Sequence, residues 1–108
     1  MKRAEVWWVE FDPAVGSEVR KTRPAVIVSN GAANRNLARG VVSPLTSNVG
    51  CHYRGAALVE IDGRPGKAMA DEIMVADEAR LKTRLDALSK PDMRAAEDAI
   101  LVHLGMPR

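Results

Sequence analysis

The sequence predicts a mainly β domain, with five or six short strands wound into a small barrel or strongly curved antiparallel sheet and a C-terminal helix packed on it. Three observations predict this. Short β-branched and aromatic runs fill the first half and are punctuated by Pro, Gly and Asp. The continuous apolar stretch Ala25-Val26-Ile27-Val28 reads as a strand buried on both faces. Sustained helical spacing of apolar residues is clearest at the C-terminal end.

The first strand is Glu5 to Phe11, rich in Val and Trp and stopped by Asp12-Pro13. Trp7 and Trp8 are adjacent, so in a strand they face opposite sides. One belongs to the core and the other lies under a loop or at a subunit contact. The second strand is Arg23 to Ser29. Asn30 to Leu37 is polar and Asn-rich, either a short helix capped by Ser29 or Asn30 or a loop. Gly40 to Thr46 is a third strand, which Pro44 assigns to an edge or a bulge. Ser47 to Gly55 is loop-like.

Ala56 to Ile61 is a fourth strand, closed by the turn Asp62-Gly63-Arg64-Pro65-Gly66. Lys67 to Val75 is a fifth. Asp77 caps a single helical turn through Arg80, and Leu81 to Leu88 is a further short strand. Ser89 caps the terminal helix, with Pro91 in its first turn and Asp92 three residues after the cap. Met93, Ala96, Ile100 and Leu104 form its apolar face, and Gly105 and Pro107 end it. His103 falls in the last turn, where the helix dipole favours a cation.

Length fits one domain, residues 1–108. The charged start Met1-Lys2-Arg3-Ala4-Glu5 is unlike a secretory leader, and no apolar run reaches the ~20 residues of a membrane span. The single Cys51 excludes an internal disulfide framework and points to a reducing compartment. With His52 beside it, Cys51 makes no recognisable metal-ligand cluster. Net charge is +2, unevenly spread: residues 1–54 hold eight cations against four anions, residues 55–108 eight against ten. That asymmetry permits a polyanionic partner.

The candidate site centres on Gly16-Ser17-Glu18-Val19-Arg20-Lys21-Thr22-Arg23-Pro24, a glycine-opened cationic loop running into the buried strand. Pro24 pushes Arg23 toward extended geometry and limits where its guanidinium points. A guanidinium matches phosphate oxygens with paired hydrogen bonds. Arg23 is read either as a phosphate clamp or as a structural ion pair with Glu18. Thr46 also stands at a strand–loop junction, in Pro44-Leu45-Thr46-Ser47, and is read either as a site hydroxyl or as a turn-former bonded to the backbone. Asp71-Glu72 is a carboxylate pair in an apolar stretch. As strand neighbours the two face opposite ways, one toward a cation and one toward solvent.

The inventory offers no Ser/His/Asp set, no Cys/His pair and no phosphate-cradling glycine loop. An enzyme built from it uses Arg and Thr or Ser, without metal or cofactor. RNA scission by its own 2′-hydroxyl suits that inventory, because the substrate supplies the nucleophile.

In order along nearly the whole chain, Ala4-Glu5-Val6-Trp7-Trp8-Val9, Gly16 to Ser29 with Arg23-Pro24, Pro44-Leu45-Thr46-Ser47, and Ala70-Asp71-Glu72-Ile73 followed by Arg80-Leu81 resemble the MazF/PemK/Kid toxins of type II toxin–antitoxin systems. The resemblance implies an SH3-like barrel with helices that works as a homodimer in the cytoplasm. It implies a metal-independent, sequence-selective endoribonuclease on single-stranded RNA, leaving 2′,3′-cyclic phosphate and 5′-hydroxyl ends. It makes Arg23 and Thr46 the catalytic pair. Gly16, Glu18, Arg20, Lys21, Ser47, Asp71 and Glu72 become substrate-binding positions. It also implies a cognate antitoxin with a disordered, often acidic tail. Glu72 stands where the family usually has Gln, and pairing with a cation such as Arg20 is one use for it. Met69 stands where some relatives carry an Arg. Two alternatives stay open: a non-enzymatic toxin of the same fold that poisons a protein target such as DNA gyrase, and an inactive homologue that binds RNA or antitoxin.

Overall fold

The structure, a computed structural model, describes residues 1–11, 21–50 and 56–107. In chain order the elements are β1 (Glu5–Phe11), β2 (Lys21–Ile27), α1 (Gly31–Leu37), β3 (Arg39–Thr46), β4 (Ala56–Ile61), β5 (Arg64–Met69), β6 (Met74–Asp77), β7 (Leu81–Ala87) and α2 (Lys90–His103), with single 3₁₀ turns at Ala70–Glu72 and Glu78–Arg80. All the strand pairs are antiparallel. The sheet runs β4-β5-β3-β2-β1-β7, and β6 lies alongside β3. β4 and β7 end this path and β6 is paired on one side only, so among the described residues the open, curved sheet is the form adopted of the two expected.

The buried strand behaves as its sequence dictates. Ala25, Val26 and Ile27 are fully buried, and the alternation sends them to two cores. Val26 joins Val6, Leu45, Val59, Ala68, Met93 and Ala96 between the sheet and α2. Ala25 and Ile27 join Val9, Val42 and Ala76 on the other face. The two tryptophans divide in the same way. Trp7 packs against the second cluster and donates its indole N–H to Glu5 (3.1 Å), whereas Trp8 is 37 % exposed.

Capping fixes the helices. Asn30 accepts from the Ala33 amide (2.8 Å) at the start of α1, and Ser89 accepts from the Asp92 amide (3.2 Å) at the start of α2. Asp77 likewise accepts from the Ala79 amide (2.9 Å). No described helix is long and apolar enough to cross a membrane.

Three expectations are corrected. Pro44 does not mark an edge, because β3 is interior. On its far side β3 pairs with β6 as far as Val42↔Met74 and with β5 from Leu45↔Ala68. Pro44 falls in the gap between those two ladders, where a missing N–H is tolerated. The fifth strand does not run unbroken from Lys67 to Val75. The turn before it is only Asp62-Gly63, both with positive φ (53° and 76°), so β5 begins at Arg64. The 3₁₀ turn at Ala70–Glu72 then separates β5 from β6, and Asp71 and Glu72 are exposed turn residues, not strand neighbours. On α2 the buried face is Met93, Ala96 and Ala99, while Leu104 is 53 % exposed beyond the last helical turn.

Candidate active site at the β2–β3 corner

β2 and β3 pair through Ile27↔Val42, Val26↔Ser43 and Ala25↔Pro44. Continued by two residues, that register points Arg23 toward Thr46, but the ladder itself ends at Ala25↔Pro44. There the two strands part company. Arg23 is paired with Val9 of β1, and Thr46 with Lys67 of β5. Directly opposed residues of an antiparallel pair present their side chains on one face. The two junctions that the sequence marked therefore belong to one end of one strand pair.

The side chains there are loosely engaged. The Arg23 guanidinium lies 3.8 Å from the Glu72 carboxylate, with the two side chains 35 % and 46 % exposed. An ion pair this open contributes well under 1 kcal/mol. Glu72 thus meets a cation, Arg23, and Asp71 is exposed beside it. The Thr46 hydroxyl accepts from the Asn48 amide (3.2 Å), so the turn-forming reading of Thr46 is realised and one end of its hydroxyl is already committed. Ser47 is exposed next to it.

Of the other expected binding residues, Gly16, Glu18 and Arg20 lie outside the described residues, as do Cys51 and His52. Lys21 opens β2. A depression of about 320 Å³ adjoins the corner, and Trp8, Pro24, Thr46, Ser47 and Arg64 are among the residues lining it. Arg23 is not among them.

Two residues at the corner carry no motif. Lys67 is 5 % exposed and sits directly across from Thr46 on β5. The signal for it was a cation in an otherwise small or apolar run, Gly66-Lys67-Ala68-Met69. A buried lysine is rare unless it has a partner. Gly66 lies close under the end of β3. A Cβ there would lie 2.8 Å from Ile61 Cδ1 and 3.4 Å from the Thr46 carbonyl oxygen.

An open antiparallel sheet backed by one helix, with a guanidinium and a hydroxyl at its parted corner, describes a small binding or phosphoryl-transfer domain. A family profile described as PemK-like, MazF-like toxin of type II toxin–antitoxin systems matches residues 2–104. The chain belongs to that family. It is 35 % identical to endoribonuclease MazF9 of Mycobacterium tuberculosis over 118 aligned residues, covering 98 % of each chain. A solved endoribonuclease in complex with its cognate antitoxin, from a mycobacterial species, superposes with a TM-score of 0.81 at 27 % identity, covering all of this chain and 98 % of that one. A MazE–MazF structure from Deinococcus radiodurans shares the fold, with a TM-score of 0.83 at 23 % identity over 99 % of this chain and 97 % of that one.

Proposed function

We propose that the chain, as one toxin domain over residues 1–108, is the endoribonuclease of a type II toxin–antitoxin pair acting in the cytoplasm. It cuts single-stranded RNA at a short sequence and needs no metal. The 2′-hydroxyl of the substrate attacks the adjacent phosphorus, and the bond to the 5′-oxygen breaks. The products are a 2′,3′-cyclic phosphate and a 5′-hydroxyl, with one proton leaving the 2′-oxygen and one reaching the 5′-oxygen. Arg23 neutralises the charge that grows on the phosphate and its leaving group. Thr46 holds the 2′-hydroxyl or a phosphate oxygen in line. Lys21, Ser47, Asp71 and Glu72 flank the RNA, and Gly16, Glu18 and Arg20 complete the loop that approaches it. The working form is a homodimer, and the disordered tail of the cognate antitoxin covers the RNA groove and orders as it binds.

The observation that carries this reading is the β2–β3 register, whose continuation sets Arg23 against Thr46. Glu72 fits it as a competitor. A carboxylate 3.8 Å from the guanidinium gives way when a phosphate, the better partner for that fork, arrives.

The test is incubation with a long single-stranded RNA in excess chelator, with the cut ends mapped. Wild type is expected to cleave. Arg23→Ala and Thr46→Ala are each expected to lose about 10²-fold or more. Intact RNA alongside inhibition of gyrase in a parallel assay would replace this reading with that of a protein-directed poison.

A further inference from the structure

We infer that Lys67 is the second cation of the scissile-phosphate site, donating from the β5 side to a phosphate that Arg23 meets from the β2 side. The inference rests on the endoribonuclease reading and adds a residue to its substrate contact. Lys67 is 5 % exposed and is the one buried ionisable side chain among the described residues. The other two buried polar side chains serve the fold. The Ser43 hydroxyl donates to the Met69 carbonyl (3.1 Å), and the Asn34 amide donates to the Ser29 carbonyl.

Register and alternation place Lys67 on the face of the proposed chemistry. Leu45 and Ala68 are directly opposed, and both belong to the core under α2. The next pair, Thr46 and Lys67, therefore presents its side chains to the other face. Arg23 shares that face, because its partner Val9 and Ala25, two residues on, both lie in the second core. β3 runs between β5 and β2, so Thr46 is flanked by a strand that carries an ammonium and a strand that carries a guanidinium. On β4 the residue opposed to Lys67 is Leu58, which offers apolar surface to the lysine stem.

The Thr46 hydroxyl accepts from the Asn48 amide, which leaves it a proton to donate. The three groups are then all donors. A phosphate whose non-bridging oxygens gain charge as the 2′-oxygen attacks is the acceptor such a set fits. The planar fork of Arg23 can span two oxygens, and the compact ammonium of Lys67 suits one. Burial adds to its effect, since a charge kept from bulk water acts through a lower effective dielectric.

Two measurements on the intact chain test this. Single-turnover cleavage of an RNA that the wild type cuts is compared for wild type, for Lys67→Met, which keeps an unbranched apolar stem, and for Lys67→Arg, which keeps the charge. Lys67→Met is expected to slow the cut about 10²-fold and Lys67→Arg to recover most of the loss. Affinity is then measured by anisotropy with a 2′-O-methyl copy of that RNA, with and without a neutral methylphosphonate in place of the scissile phosphate. The neutral linkage is expected to weaken wild-type binding about 10²-fold and Lys67→Met binding only about tenfold, because one charged partner is already gone. Equal penalties in the two proteins would overturn the contact. So would a Lys67→Met that melts lower but whose folded fraction cuts at the wild-type rate, which would make Lys67 a residue of the fold. Should Lys67→Met fail to fold, Lys67→Gln, which keeps a polar tip without the charge, is judged by the same criteria. A wild type that cuts no RNA would overturn the endoribonuclease reading itself, whereas normal cleavage with equal penalties would overturn the role of Lys67 alone.

Discussion

The two ends of the β2–β3 pair are built from similar residues and are used differently. At the end near Ile27 and Arg39 the Ser29 and Asn34 side chains are both engaged. The Ser29 hydroxyl donates to the Asn34 side-chain oxygen and accepts from the Val41 amide at 2.9 Å. The Asn34 amide donates to the Ser29 carbonyl at 3.2 Å, and the Val28 amide donates to the Val41 carbonyl at 2.9 Å. Asn34 is 2 % exposed, and a Cβ on Gly40 would fall 2.8 Å from its Oδ1. At the Arg23–Thr46 end the strands separate, and Arg23 has a 3.8 Å ion pair in place of a hydrogen bond. A polar group saturated from within serves the fold. A cation held loosely at a strand end keeps its hydrogen-bonding capacity for a ligand.

The sharpest way to break this contrast is to measure activity and stability at both ends. Arg23→Ala is expected to cost cleavage about 10²-fold, while its thermal midpoint stays close to wild type because the ion pair it loses is exposed. A large fall in melting temperature would make Arg23 structural and erase the distinction. Asn34→Ala should do the reverse. Leaving the Ser29 groups unpaired in a buried site is expected to cost about 1–3 kcal/mol in denaturant unfolding, with cleavage by the folded fraction retained.

Acid titration extends the same logic to a third place. Backbone amides of Asp62 (2.6 Å) and Ala87 (2.7 Å) donate to the Asp86 carboxylate, and these bonds, aided by the nearby Arg84 charge, hold its pKa below the usual carboxylate range against a smaller opposing push from burial. A depressed folded-state pKa contributes stability that is complete above the unfolded value, about 3.9, and is lost as pH falls through the folded one. Unfolding free energies of wild type and Asp86→Asn should therefore differ most near neutral pH and converge in strong acid. A gap that is constant with pH would remove the carboxylate from that role. Glu5 follows the same direction. Burial raises its pKa, but the Lys2 amide, the Trp7 indole and Arg84 together outweigh it.

The smallest expected effect is at the open end. Glu72→Gln removes both the competitor of Arg23 and a like charge to the RNA backbone, and should tighten binding of a non-cleavable single-stranded RNA about threefold, within the range of an exposed pair. Weaker binding by Glu72→Gln would instead make the carboxylate a direct contact to the substrate.

Much of this molecule was legible one segment at a time. β1 and β4 have the bounds their residues predict, and Asn30, Asp77 and Ser89 cap as their side chains require. β2 starts two residues earlier than expected, at Lys21, because pairing with β1 extends it to Phe11↔Lys21. The residues of the site were also legible as types: a guanidinium beside a proline, a hydroxyl at a strand end, a carboxylate pair. Lys67 was not marked as a site residue. It reads as an ordinary strand lysine until β5 gives it Thr46 as a neighbour.

What the sequence alone determined is whatever a residue imposes on the few beside it: the alternation that sends Trp7 and Trp8 apart, the caps, the presence of a turn after Ile61, and the double-faced burial of Ala25 to Ile27. Only the tertiary structure decided that Pro44 sits between two ladders, that Glu72 meets Arg23, and that Arg23 and Thr46 share a corner. The reason is physical. Propensity and capping act through bonds a few residues long, whereas strand register and ionic partners are chosen by the burial of side chains far apart in the chain.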